Sequence, residues 1–312
     1  MADLVFVTGV NGFVGKHLVN YLHGIGVEVV GVGREDVANP EIMDLLSRYY
    51  VCELTDQSAV NNVPWHEAKA VISLAGLAKV GSSFGNSEIY TTINVGILET
   101  ILTTIMKNGL KTRVVAISTG ALYDPNQAMP LTEKSRVNGE NSPYASSKLL
   151  MEHMADGFIK AGVDCVIARP LNHVGPGQEP GFLTPDLYKK IIESLVSGEP
   201  VKVGNLSTKR DYTDVRDVVK AYALLALAKS STLSSSLYNI CSGVSHSGNE
   251  LYDKLKANIQ GSENLETVID EALIRTNDPE ELVGDFSLLN KDTGWRPTIS
   301  FDQTIADFVQ SH

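Results

Sequence analysis

Positive charge is in short supply: 26 Lys and Arg stand against 37 Asp and Glu, a formal net charge of −11. So acidic a chain argues against a nucleic acid or an anionic membrane as partner, since both are held by basic patches. A local cationic pocket for a small anion is still compatible with it. Cysteine is scarcer. Cys52, Cys165 and Cys241 lie far apart, each in an apolar run, and match no metal-ligand spacing. They read as buried thiols. Long apolar runs are missing as well, and none reads as long enough to cross a bilayer. No signal-peptide pattern precedes the first apolar strand. These absences predict a cytoplasmic protein with no bound metal. The remaining composition, 43% hydrophobic and 20% charged, suffices for a sizeable core.

What is present is alternation. Near-continuous apolar runs at 3–9, 27–33, 49–54, 69–76, 112–119 and 163–170 suit strands buried on both faces of a parallel sheet. Helical patterns lie between them, notably at 12–24, 86–108 and 143–161. Alternating strand and helix predicts an α/β, doubly wound parallel sheet of Rossmann type. After Pro170 the texture changes to Gly and Pro, followed by helices at about 184–198 and 213–229 and a strand at 235–242. The expected division is a dinucleotide-binding domain at 1–170, to which 205–242 returns. Residues 171–204 and 243–312 form a smaller substrate-binding lobe.

"TGVNGFVG" follows the first strand and opens the first helix. Gly9, Gly12 and Gly15 let backbone approach a pyrophosphate, and the helix N-terminus adds amide donors and a positive dipole end. Asn11, Phe13 and Val14 complete that turn. At the end of the second strand an acid would hold the ribose hydroxyls of NAD, whereas an arginine would accept the extra phosphate of NADP. Here Gly33 occupies the acidic place and Arg34 follows, which favours NADP; Glu35 or Asp36 could still reach a ribose. Further along, "CELTD" offers Glu53 and Leu54 beside the adenine. "SLAGLA" carries Leu74, Ala75 and Gly76 past the middle of the cofactor.

"SPYASSK" starts a helix, with Ser142 as cap and Pro143 in the first turn. Tyr144 and Lys148, four apart, share a face. The ammonium of Lys148 is expected to lower the pKa of Tyr144 by charge proximity, so that the phenol exchanges a proton near neutral pH. Thr119, at the end of the fifth strand in "AISTGALYD", would bind the same oxygen.

With these motifs in hand, the chain resembles the extended short-chain dehydrogenases/reductases that modify nucleotide sugars. The resemblance runs nearly the whole length, through "TGVNGFVG", "ISTGALYD", "YASSK", "RPLNHVGPGQ", "KRDYTDVRDVVKAY" and "YNICSG". It implies Thr119, Tyr144 and Lys148 as catalytic residues. Dehydratases of that family place an acid shortly after the catalytic Ser or Thr, where this chain has Gly120 and Ala121. The resemblance therefore points to a reductase or an epimerase, and "RPLNHVGPGQEPGFLTPDL" is more similar to the GDP-6-deoxy-4-keto-mannose reductases. It implies NADP-dependent reduction of a nucleotide-linked 4-keto-6-deoxyhexose. An NAD-dependent 4-epimerase is the alternative, and a redox-sensing dinucleotide module a distant third. It also implies that Asn172 and His173 face the sugar or its phosphates, and that Arg210 and Arg275 bind the diphosphate. Apolar residues on the helices at 86–108 and 143–161 serve either a homodimer seam of four helices or the core alone.

Overall fold

Along the first strand, β1 (Leu4–Thr8), side chains alternate between two cores: Val5 and Val7 enter one, Phe6 the other. That period of two is the strand's own geometry, and burial on both sides explains the unbroken apolar run. The computed structural model describes residues 3–274 and 278–312. The same sheet continues through β2 (Glu28–Gly33), β3 (Arg48–Val51), β4 (Ala70–Ser73), β5 (Arg113–Ile117) and β6 (Cys165–Pro170). Between these strands lie α1 (Phe13–Gly24), α2 (Pro40–Met43), α3 (Gln57–Asn61), α4 (Val80–Ser83), α5 (Ser87–Lys107) and α6 (Pro143–Lys160). Ser142 caps α6 by accepting from Ala145 N at 3.1 Å, and Pro143 sits in the first turn.

The chain then runs through β7 (Asn172–Val174), α7 (Leu183–Ser197), β8 (Val201–Val203), β9 (Lys209–Asp214), α8 (Val215–Leu227) and β10 (Leu237–Ile240). It finishes with β11 (Ser245–Ser247), α9 (Gly248–Asn258), β12 (Thr267–Ile269), β13 (Glu281–Leu282), α10 (Ser287–Thr293) and α11 (Phe301–Gln310). The main sheet has seven strands in the order β10-β6-β5-β4-β1-β2-β3, every pairing parallel. The expected Rossmann-type sheet is therefore observed. Helices α1 and α8 cover one face of it; α5 and α6 cover the other. Strand order reverses at β1 and β4, so the loops after these two strands part from one another and open a crevice at their carboxyl ends.

Segment 205–242 divides between the layers. β9 pairs with β7, β11 and β13 in the smaller lobe, whereas α8 packs on α1 and β10 closes the large sheet. The helix expected at 213–229 begins only at Val215, because Thr213 and Asp214 end β9 and Asp214 caps the helix through Arg216 N at 2.8 Å. In the last stretch, Leu289 and Trp295 pack into the core of the large sheet rather than into the lobe. A third core, centred on Leu187, Ile191, Leu251 and Phe308, holds the lobe itself together.

One expectation needs correcting. Helix α5, 21 residues with a mean hydropathy of 1.3 in its most apolar window, is long and apolar enough to cross a membrane. The same window is 50% buried inside the protein, where Ile97, Leu98, Ile101, Leu102 and Ile105 pack against the sheet. That part of its apolar character belongs to the core. The three cysteines are buried, unbridged thiols.

Candidate active site

The glycine turn has no room for side chains. Gly9 has φ of 69°, the left-handed region, and a Cβ there would come within 2.9 Å of Ala75 N. A Cβ on Gly15 would overlap Gly9 O and Val10 O. Gly12 is the N-cap of α1 and offers no side chain to its first-turn amides. With no side-chain cap on them, those amides are the kind of donors that hold an anion at a helix N-terminus. The turn thus fits a pyrophosphate, with Gly9, Asn11, Gly12, Phe13, Val14 and Gly15 around it. Asn11 stitches the turn to the loop after β2: its Nδ2 donates to Glu35 Oε2 and Val37 O, both at 3.3 Å, and its Oδ1 accepts from Asn39 N at 2.8 Å.

Beyond Gly33, where a Cβ would lie 2.6 Å from Tyr49 Oη, the Arg34 side chain stands 77% exposed with Nε 3.7 Å from Glu35 Oε1. Glu53 turns onto its own loop, its Oε1 accepting from Thr55 N at 3.1 Å and from Thr55 Oγ1 at 2.7 Å. Leu54 is buried beneath α5, where its carbonyl accepts from Thr100 Oγ1 at 2.6 Å. Leu74 packs against one core and Ala75 against the other, and Ala75 N donates to Thr8 Oγ1 at 3.1 Å. Gly76 follows in an extended loop in which a Cβ would sit 2.7 Å from Asn94 Oδ1.

Asn94 was not singled out by sequence. It is buried on α5, accepts from Leu77 N at 2.8 Å, and donates to Leu77 O at 3.2 Å and Ser147 Oγ at 3.0 Å. One amide therefore joins the loop after β4 to α6. The available signal was a polar residue at a core-facing position of an apolar helix.

Thr119 lies at the carboxyl end of β5 and caps the turn behind it by accepting from Ala121 N at 3.1 Å. Tyr144 is 8% exposed, and its phenol lies near enough to the Thr119 hydroxyl for that group to favour the phenolate. Its ring meets that of Tyr90 edge-on at 6.4 Å between centroids. The Lys148 ammonium donates to Ile117 O at 2.7 Å. Sequence thus placed the three groups in one neighbourhood, but its electrostatic expectation is corrected. Burial pushes the Tyr144 phenol up to about 12, against the pull of Thr119, and burial also draws Lys148 down to about 8, against the field of Glu152. Desolvation outweighs charge proximity because both groups are covered.

On the lobe side, Asn172 is exposed at the start of β7. Half-buried His173 stacks on Phe13 of the glycine turn, rings 6.3 Å apart and 7° from parallel, with Nδ1 3.3 Å from Leu171 O. Burial holds its imidazole below the ordinary value. Arg210 on β9 pairs with Asp278, Nη2 to Oδ1 at 2.6 Å, and donates to Pro279 O at 2.9 Å. Its charge is balanced there by a carboxylate. Arg275 lies outside the described residues.

Comparison with known proteins agrees with this geometry. Residues 5–241 match the NAD dependent epimerase/dehydratase family. The chain is 31% identical to the GDP-6-deoxy-D-mannose reductase of Pseudomonas aeruginosa, over 98% of this chain and 95% of that protein. The structure of RMD from Pseudomonas aeruginosa complexed with NADPH matches with a TM-score of 0.82 at 28% identity, covering 99% of this chain and 98% of that one. The UDP-glucose 4-epimerase of Thermus thermophilus in complex with NAD gives 0.83 at 25% identity, covering 99% and 98%. Matched along most of its length, the chain belongs to the NAD-dependent epimerase/dehydratase family, the extended short-chain dehydrogenases/reductases that modify nucleotide sugars with NAD(P).

Proposed function

We propose that the protein is an NADP-dependent 4-ketoreductase of a nucleotide-linked 6-deoxyhexose, with the GDP-mannose derivative as substrate class. One arrangement carries this reading: a buried, protonated phenol, Tyr144, near Thr119, with Gly120 and Ala121 in the place of an acid. A dihydronicotinamide held by the glycine turn would supply a hydride. Reduction of a ketone then needs one proton, and a phenol pushed up to about 12 holds that proton at neutral pH. Tyr144 donates it to the oxygen forming at C4. Thr119 binds the same oxygen and orients it. Lys148, fixed on Ile117 O one helical turn from Tyr144, would add positive charge to the site.

Dehydration would need a carboxylate near the sugar. Position 120 cannot supply one, because a Cβ on Gly120 would lie 2.8 Å from Leu171 Cγ. The exposed Arg34 after β2 supports the choice of NADP, and the resemblance to a GDP-sugar reductase supports the choice of base.

One observation favours a second reading. Glu35 Oε2 stands beside Asn11 and Gly33, a place from which a carboxylate can accept from a ribose of NAD. With NAD, the protein would be a 4-epimerase. Mass spectrometry separates the two. Incubation with NADPH and a panel of nucleotide-linked 4-keto-6-deoxy sugars should add two hydrogens to one of them. Interconversion of sugar epimers without net NADPH consumption supports the epimerase instead. We also propose a homodimer through α5 and α6, whose Ile89 and Leu150 are exposed; a monomer by sedimentation at micromolar concentration would rule that out.

A further inference from the structure

Two residues with no role in the proposed chemistry lie directly beneath it. Glu152 follows Lys148 by one turn of α6, so the two share a helix face. It is 5% exposed. Arg169, on β6 and equally covered, meets it with two prongs: Nε to Oε1 at 2.8 Å and Nη2 to Oε2 at 2.5 Å. Arg169 Nη1 also donates to Tyr123 Oη at 3.1 Å, and the guanidinium lies 5.1 Å from that ring's centroid. Tyr123 follows the Thr119 turn, and its hydroxyl donates to Asn239 Oδ1 on β10 at 2.6 Å. The pair thereby fastens the helix of Tyr144 and Lys148 to the strand ends around Thr119. Net stability does not explain such a pair, since a well-packed apolar pair in its place is often as stable or more so.

We propose that Glu152 and Arg169 are positioning residues for Lys148: Glu152 supplies the negative field that keeps this covered ammonium charged, and Arg169 fixes Glu152 and limits that field. The inference rests on Lys148 belonging to the reacting group. Other ionisable groups surround the site. Helix α6 brings Tyr144 itself, α5 brings Tyr90 against the Tyr144 ring, and α8 brings Tyr222 close to the same phenol. None of these phenols carries charge at neutral pH, because burial raises all three. Glu133 is influenced by Arg169 and by Asp285, and neither acid acts on Lys148. Glu152 is the acid whose field opposes the effect of burial on Lys148.

The pair makes a prediction of opposite signs. Removing Glu152 leaves Arg169 to repel the ammonium; removing Arg169 leaves Glu152 to attract it without a counter-charge. Competitive acetylation of Lys148 with acetic anhydride across the alkaline range, read by peptide mass spectrometry, reports its protonation without cofactor or substrate. Glu152→Gln should move the midpoint down by about one pH unit, Arg169→Gln should move it up, and Glu152→Asp should leave it nearly in place. A merely structural loosening would move both neutral variants the same way, and that result, or no movement, overturns the proposal. Should a single variant fail to fold, Glu152→Gln with Arg169→Met strands no charge and should lower the midpoint by less; an unmoved midpoint there overturns it too. The alkaline limb of kcat/KM should follow the acetylation midpoint in each variant. Acetylation shifts without matching shifts in turnover would uphold the coupling and overturn the reading of the reaction.

Discussion

Lys148 Nζ is bonded to the carbonyl of Ile117 at 2.7 Å, so its ammonium is anchored on the strand that leads into Ser118 and Thr119 and not on the Tyr144 hydroxyl. The two residues are four apart on one helix face, but each is covered by different neighbours. Coverage disfavours charge on either group, and it acts in opposite directions on an acid and a base. The phenol goes up and the amine comes down. At neutral pH the site therefore presents a proton donor, which is the form that carbonyl reduction uses.

Removing that donor alone should leave the binding surfaces intact. Tyr144→Phe keeps the ring, its contact with Tyr90 and the helix cap. Cofactor binding, followed by fluorescence, should change little, while turnover falls by about a hundredfold to ten-thousandfold. Near-normal turnover in that variant would remove Tyr144 from the mechanism.

Asn94 satisfies both backbone groups of Leu77 and reaches Ser147 on α6. Asn94→Ala takes away the partner of the half-buried N–H and carbonyl of Leu77, at a cost of about 1 kcal/mol for each bond. The loop of Ala75 and Gly76 should loosen with them. The expected result is a lower urea midpoint together with weaker cofactor binding. Loss of stability with unchanged cofactor affinity would limit Asn94 to a packing role.

Arg34 is the residue on which the NADP reading depends. It is solvent-exposed beyond its neighbour Glu35, so its removal should not disturb the fold. A charge-assisted contact to phosphate is worth about 1.5–3 kcal/mol, roughly ten- to a hundredfold in affinity. Arg34→Ala should weaken NADPH by that factor and NADH hardly at all, by fluorescence titration of each. An equal loss for both nucleotides would transfer the cofactor reading to NAD and to Glu35.

The glycine turn, the strands and the cap of α6 were legible in sequence because each is set by local chemistry. Gly9 needs a left-handed φ, Ser142 accepts from an amide three residues on, and Val5, Phe6 and Val7 alternate by strand geometry. What stayed illegible depends on partners distant in sequence. Nothing in "YASSK" says that the phenol is covered by Tyr90 and Tyr222, so the direction of its shift could not be read. Nothing in "KRDYTDV" says that Arg210 is met by Asp278, 68 residues later. The helical pattern reaches back to Thr213 in sequence, whereas Thr213 and Asp214 join a strand whose partners are short and scattered. Asn94 was overlooked because an amide in an apolar helix shows its purpose only when the loop it binds is in view.

Asp217 ties the end of the chain to the large domain, and its charge makes that tie dependent on pH. The side chain is fully buried in α8. It accepts from Thr298 N at 2.7 Å, Ile299 N at 2.8 Å, Thr298 Oγ1 at 2.8 Å and Lys220 Nζ at 3.0 Å. Burial pushes its pKa up, but these donors together outweigh burial and hold the carboxyl below its ordinary value. A carboxylate with a depressed folded pKa adds stability above its unfolded pKa of about 3.9, and loses it as the pH falls through the folded value. Asp217→Asn turns an N–H toward backbone donors and should cost about 2–3 kcal/mol at neutral pH, the worth of hydrogen bonds to a charged group. Urea unfolding at neutral pH should show that deficit. Repeated at lower pH, the gap between the two proteins should narrow only below about pH 4, because there the unfolded carboxylate takes up its proton while the native one stays ionised, until the pH has passed through the lower folded value. A gap that stays constant to the acid limit would mean that the Thr298 and Ile299 amides are held by geometry alone and that the charge at Asp217 contributes nothing.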